Sequence, residues 1–148
     1  MFDIRIITAA ETYPLRHKIL RQNEPIEKCV YPYDTADSTV HFGLFENNVL
    51  FGIISVFETK KDIFTDKKQF QIRGMAVLEN HQKKGYGAAL VKHAMEYLQK
   101  EQEFLIWFNA RIIALGFYDK LGFEKIGTVF EIVPIGMHYI MYKRFSNS

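Results

Sequence analysis

Two glycines spaced two apart, Gly85 and Gly87, close the stretch Gln82-Lys83-Lys84-Gly85-Tyr86-Gly87 and are followed at once by Ala88. A glycine turn between a strand and a helix leaves several main-chain N–H groups unpaired and lets a phosphate approach the backbone closely. The same spacing also serves a bare tight turn, and spacing alone leaves both readings open. Two other phosphate-binding devices are excluded. A dinucleotide fingerprint needs a small residue three positions after the second glycine, where Leu90 stands. A nucleoside-triphosphate loop needs Gly-Lys-Ser/Thr after four intervening residues, which this turn lacks.

Other reactive side chains are sparse. The five histidines, at 17, 41, 81, 93 and 138, lack paired ligand spacing, so no metal is expected. The single Cys29 has no partner within the chain for a disulfide and no activating base nearby in sequence, and it reads as a small buried apolar residue.

The elements that must carry the turn alternate in type. Asp3 to Ile7 is β-branched, and Thr8-Ala9-Ala10-Glu11 has the form of a capping box that opens a helix continuing through Tyr13 to Arg21. Glu24 to Ser38 reads as a polar loop. Thr39 to Phe45 and Val49 to Glu58 read as antiparallel strands joined at Glu46-Asn47-Asn48, because Asn tolerates a left-handed hairpin turn. Phe70 to Leu78 is a third strand leading through a polar linker into the glycine turn. A helix follows, with Leu90, Val91, Ala94 and Leu98 on one face. Phe104 to Phe108 is a short strand ended by Asn109; Ala110 to Leu121 reads as a helix capped by Gly122. Phe123 to Phe130 and His138 to Arg144 are the last strands. The pattern is an α/β chain with a mixed sheet flanked by helices.

Composition bounds the function. The 148 residues fit a single domain spanning 1–148, and 48% hydrophobic with 24% charged residues is ordinary globular usage. A net charge of +2 does not point to nucleic acid. The run Val49 to Phe57 is broken by Gly52 and Ser55 and falls far short of the ~20 residues of a membrane helix. With Met1-Phe2-Asp3-Ile4-Arg5 carrying no leader pattern, a cytoplasmic chain without membrane association is expected.

The stretch Gln82 to Ala88, preceded by Arg73-Gly74-Met75-Ala76-Val77, resembles the Q/R-x-x-G-x-G/A signature of the GNAT superfamily of acyl-CoA-dependent N-acyltransferases. A second block is similar to that family's last βα unit: Asn109-Ala110-Arg111, Ala114, Phe117-Tyr118 and Leu121-Gly122-Phe123. Arg16 to Arg21, His41-Phe42-Gly43 and Gly136-Met137-His138 look like its bacterial ElaA-like branch. The resemblance implies a GNAT-like fold: a central mixed, mostly antiparallel sheet flanked by helices on both faces and splayed at the cofactor site.

It also implies acetyl-CoA as acyl donor and an amine as acceptor, with no metal. The main chain of Met75, Ala76 and Val77 would hold pantetheine, and the pyrophosphate would sit on the N–H groups running from Gln82 and Lys83 through Lys84, Gly85, Tyr86 and Gly87 to Ala88, at the positive end of the helix dipole. Lys83 and Lys84 would add charge, or remain solvated loop lysines. Asn109 would bind pantetheine or fix the start of a helix, where Asn is also simply a good cap. Phe117 would line the cofactor. Attack by a neutral amine would expel a thiolate whose conjugate acid has a pKa of about 8 to 9, and Tyr118 would protonate it.

The general base stays open among Glu79, His41, His138 and a water chain, because Phe70 to Val77 contains no carboxylate. The loop with Glu24, Glu27, Tyr31, Tyr33, Asp34 and Asp37 would line the acceptor side and attract a cationic amine. Folds of this kind often dimerise, and Tyr139-Ile140-Met141-Tyr142 offers an edge for a homodimer. A non-catalytic acyl-CoA-binding sensor would share Gly85 and Gly87 without needing Tyr118.

Overall fold

A computed structural model describes residues 2–146; Met1, Asn147 and Ser148, the ends of the span expected for the domain, lie outside the described residues. The chain divides into two compact units, Met1–Phe57 with Ile72–Lys100 and Glu58–Gln71 with Glu101–Ser148.

In the first unit, β1 (Phe2–Ile7), β2 (Val40–Glu46) and β3 (Val49–Phe57) form an antiparallel meander. Asn47 and Asn48 both take positive φ, 51° and 63°, which is the hairpin turn the sequence called for. Helix α1 (Ala9–Leu15) opens on the expected capping box, with Thr8 Oγ1 accepting from Glu11 N and Glu11 Oε1 accepting from Thr8 N. It then widens into a π-helical turn over Arg16–Leu20. Helix α2 (Tyr86–Leu98) buries the four residues its periodicity marked, Leu90, Val91, Ala94 and Leu98.

Strand alternation divides β3 between the two helices. Ile53 joins Leu15 of α1, Ile7, Phe45 and Ala76 in one cluster, whereas the Gly52 position faces Leu90 of α2. The two helices therefore cover opposite faces of the β2–β3 hairpin. β4 (Gln69–Val77) lies next to β3 and runs through both units.

In the second unit the strand order continues from β4 to β5 (Glu103–Arg111), β7 (Gly136–Ser146) and β6 (Glu124–Ile132). β4 and β5 pair in parallel over Gln69, Phe70 and Gln71 opposite Leu105, Ile106 and Trp107, while β5–β7 and β6–β7 are antiparallel. The sheet is thus mixed and mostly antiparallel, as expected. Phe64, Leu105 and Trp107 form one buried cluster of this unit, with Ile126, Ile140 and Tyr142 against it.

Two expectations need correction here. Asn109 does not end β5 or cap a helix: the ladder with β7 continues through Asn109↔Ile140 to Arg111↔His138, so the helix begins only at Leu115 and α3 is Leu115–Lys120. Ladder hydrogen bonds outweigh the local capping tendency of Asn. Tyr139 to Tyr142 is not a free edge either, because β7 is paired on one side with β5 and on the other with β6. Among the described residues, no helix is long and apolar enough to cross a membrane.

Candidate functional site

The glycine turn is shaped by two left-handed residues on either side of Lys84. Lys83 has φ 63° and Gly85 φ 82°, and Gly85 is the N-cap of α2. Lys83 holds this conformation at a cost of roughly 1–2 kcal/mol for a residue with a Cβ. No side chain caps α2, and no acidic residue stands in its first turn. The first N–H groups of a helix have no intrahelical partner, so those of Tyr86, Gly87 and Ala88 carry the positive end of a 13-residue helix without a side-chain acceptor. A Cβ on Gly85 would meet no atom within 4 Å, leaving open space over the turn.

The turn is anchored from below. The Tyr86 ring lies edge-on to Phe51 at 4.9 Å and to Phe2 at 5.3 Å, while His81 stacks on Phe51 at 4.3 Å. The half-buried Tyr86 ring is therefore taken up by these packing contacts, and what the residue offers a ligand is its N–H. Gln82 Nε2 donates to Val77 O at 2.8 Å, tying the turn to the end of β4. Beside it, Lys18, Ile19, Gln22, Glu79, Gln82 and Lys83 line an open cavity of about 460 Å³. Lys18 belongs to the Arg16 to Arg21 stretch and Gln22 follows it, and folding of the π-helical turn beside the glycine turn brings both there.

Further along β4, Gly74 has φ 68°, and a Cβ there would stand 3.2 Å from Tyr31 Cε2 and 3.4 Å from Arg16 Nε. Both conformation and space demand glycine. The crowding comes from a buried polar network. Arg16, fully buried, donates from Nη1 and Nη2 to the two carboxylate oxygens of Asp34 at 2.7 and 3.0 Å, from Nη1 to Cys29 O at 2.8 Å, and from Nη2 to Ser55 Oγ at 3.0 Å. His41 Nε2 lies 2.9 Å from Asp34 O, and Nδ1 lies 2.6 Å from Ser55 Oγ.

A carbonyl can only accept, so His41 carries its proton on Nε2 and Nδ1 accepts from the Ser55 hydroxyl. Burial, reinforced by the Arg16 charge, holds His41 below its usual pKa and keeps the ring neutral. Both ring nitrogens are spent on structure, so His41 is not the general base. His138 is also buried, its Nδ1 against Gly136 O at 2.7 Å. Asp34 corrects the reading of its loop as an attractor of cations, since its charge is consumed by Arg16. Cys29 is fully buried, and burial pushes its thiol pKa up.

In the second unit, Tyr118 of α3 packs its ring on Phe108 at 4.3 Å and beside Phe117 at 4.9 Å. Burial pushes its phenol pKa up to about 12. Phe117 and Asn109 are exposed. Gly122 follows α3 with φ 92°, the C-terminal position expected of it.

The model of the acetyltransferase (GNAT) family matches residues 7–123. The uncharacterised N-acetyltransferase YitI of Bacillus subtilis is 36% identical over 148 residues, covering 100% of this chain and 99% of its own. Among solved structures, Escherichia coli ElaA superposes with a TM-score of 0.77 at 18% identity, covering 97% of this chain and 99% of that one. An aminoglycoside 6'-N-acetyltransferase complexed with coenzyme A gives a TM-score of 0.72 at 13% identity, covering 96% of each chain. With the family model spanning most of the sequence and a full-length relative above 30% identity, this chain belongs to the GNAT acetyltransferase family and is an acyltransferase of that fold.

Proposed function

We propose that the chain transfers an acetyl group from acetyl-CoA to a primary amine by direct attack. The observation that carries this reading is the uncapped N-terminus of α2 behind Gly85, with open space where a side chain would stand. Its N–H groups at Tyr86, Gly87 and Ala88 suit a pyrophosphate, and the Lys83 and Lys84 side chains add positive charge from the exposed turn. On β4, main-chain groups of Met75, Ala76 and Val77 lie past Gln71, the last residue of the register with β5, and would take up pantetheine. Val77 O already accepts from Gln82 Nε2, which ties this end of β4 to the glycine turn.

Bound acetyl-CoA supplies a thioester whose C–S bond breaks as the C–N bond to the amine forms. The sulfur leaves with the bonding electron pair, and one amine proton ends on the released thiol, so amine plus thioester gives amide plus free CoA. Tyr118 enters as a phenol that holds its proton throughout the neutral range and donates a hydrogen bond to the departing sulfur.

Calorimetric titration of acetyl-CoA tests the donor site. The parent should bind, and Gly85→Glu should lose that binding by crowding and repelling the pyrophosphate. Gly85→Asn keeps a residue that tolerates positive φ while adding bulk, and should weaken binding with the fold intact. A parent that does not bind acetyl-CoA overturns the proposal.

A further inference from the structure

Arg73 on β4 carries a charge that nothing in the described chain balances. Its guanidinium lies 3.9 Å from the centre of the Tyr31 ring, and that of Arg16 lies 3.9 Å from the same centre. Two guanidiniums so close to one ring cannot share a face, so Tyr31 is sandwiched between them. The two outer arginines of this cluster are neutralised: Arg16 by Asp34 at 2.7 Å, and Arg21 by Glu24 at 3.3 Å. The Arg73 guanidinium makes no hydrogen bond and no ion pair to any described residue, and the side chain is half-buried on the strand.

A half-buried guanidinium has given up part of its water and still presents donors in a rigid fork, the arrangement that matches a carboxylate with two parallel hydrogen bonds. The cluster also lowers the cost of an anion. Asp34, the one carboxylate within electrostatic reach of Arg73, is already locked on Arg16, and burial with the neighbouring Arg16 and Arg21 charges disfavours the charged state of Arg73 itself. A bound anion would relieve that repulsion. The stack on Tyr31 fixes the guanidinium plane, so little side-chain freedom is lost when a ligand arrives.

Arg73 stands two residues before Met75, on the order of 7 Å along a strand. That separation is within the reach of one arginine side chain, so a small acceptor held by Arg73 would lie within reach of the backbone groups assigned above to pantetheine. From these observations we infer that the amine acceptor carries a carboxylate, bound by Arg73, close to the nitrogen that is acetylated: an amino acid or a similarly small amino-carboxylic acid. The charge balance selects this class. One uncompensated cation matches a monoanion, whereas a phosphate dianion would leave net negative charge, and a polyamine would be repelled. The inference rests on the acetyl-transfer reading above.

The test measures thiol release from acetyl-CoA by the full chain, with matched sets of amines: L-amino acids, their carboxamides, the corresponding decarboxylated amines, and O-phosphoethanolamine. The acids should exceed their amides and decarboxylated amines in kcat/KM by roughly 10- to 100-fold, the worth of a charged hydrogen-bonded pair. Arg73→Gln should collapse that preference to about 2-fold, mainly through KM, and Arg73→Lys should restore part of it. Acetyl-CoA titration on the same samples separates the two readings, because a parent that fails to bind it sinks the transferase reading itself. If acetyl-CoA binds, the inference is overturned when amides or polyamines equal the acids, when the phosphorylated amine is preferred, or when no acid in the set is acetylated. Should Arg73→Gln not fold, the comparison among substrates of the parent still decides.

Discussion

At Tyr118, the ring packs against those of Phe108 and Phe117, and this packing leaves the side chain half-buried. An acid raised to about 12 never rests as phenolate at working pH, so in the proposed reaction it would serve as a fixed hydrogen-bond donor to a sulfur whose conjugate acid is stronger. Tyr118→Phe keeps the aromatic packing and removes the hydroxyl. We expect kcat to fall about 100-fold with acetyl-CoA affinity unchanged. Because the group that must stay protonated titrates near 12, the parent's kcat should show no descending limb from it between about pH 8 and 10. Turnover equal to the parent's would remove Tyr118 from the mechanism and favour a binding module. Tyr118 was marked in the sequence as a candidate by its place in the family-like Phe117-Tyr118 pair, and Gly85 by its spacing to Gly87. Arg73 was not, because its meaning depends on which carboxylates fail to reach it, and the pairing of Arg16 with Asp34 spans 18 positions of chain.

The elements make the next scale legible, and their errors are instructive. Thr8 with Glu11 and the Asn47-Asn48 turn were readable because each is completed by residues three or fewer apart. Asn109 was misread because its conformation is set by Ile140, a cross-strand partner remote in sequence. The network joining β2, β3 and the π-helical turn is likewise non-local, and it has a titratable member. His41 has its folded-state pKa lowered from 6.5, chiefly by burial. Above pH 6.5 both folded and unfolded chains hold it neutral and its stabilising contacts are intact. As pH falls below that value the unfolded chain takes up a proton that the folded ring refuses, so stability declines toward the folded-state pKa. Denaturation midpoints measured from about pH 7.5 down to 5 should therefore fall more steeply for the parent than for His41→Gln, which lacks the titrating ring. Equal slopes would mean that the ring is protonated without resistance.

For the whole molecule, β4 is the element common to both compact units, with Gln69 to Gln71 in one and Ile72 to Val77 in the other. An unbroken strand shared in this way couples their folding, and we expect one cooperative transition for a single domain over 1–148. The two units can be watched separately. Trp107, the single tryptophan, sits in the second unit's core with Nε1 donating to Thr59 O, whereas the longest helix, α2, belongs to the first. Trp fluorescence and far-ultraviolet circular dichroism should give coincident denaturant midpoints; separated midpoints would show that the units fold independently. Cys29 adds a practical consequence. The only thiol of the chain is sealed in the first unit, with its ionisation suppressed by burial. A thiol reagent added to the native enzyme therefore reports released coenzyme with almost no background from the protein. One extra equivalent of colour per chain, appearing with time, would mark the fraction of catalyst that has come apart during the assay.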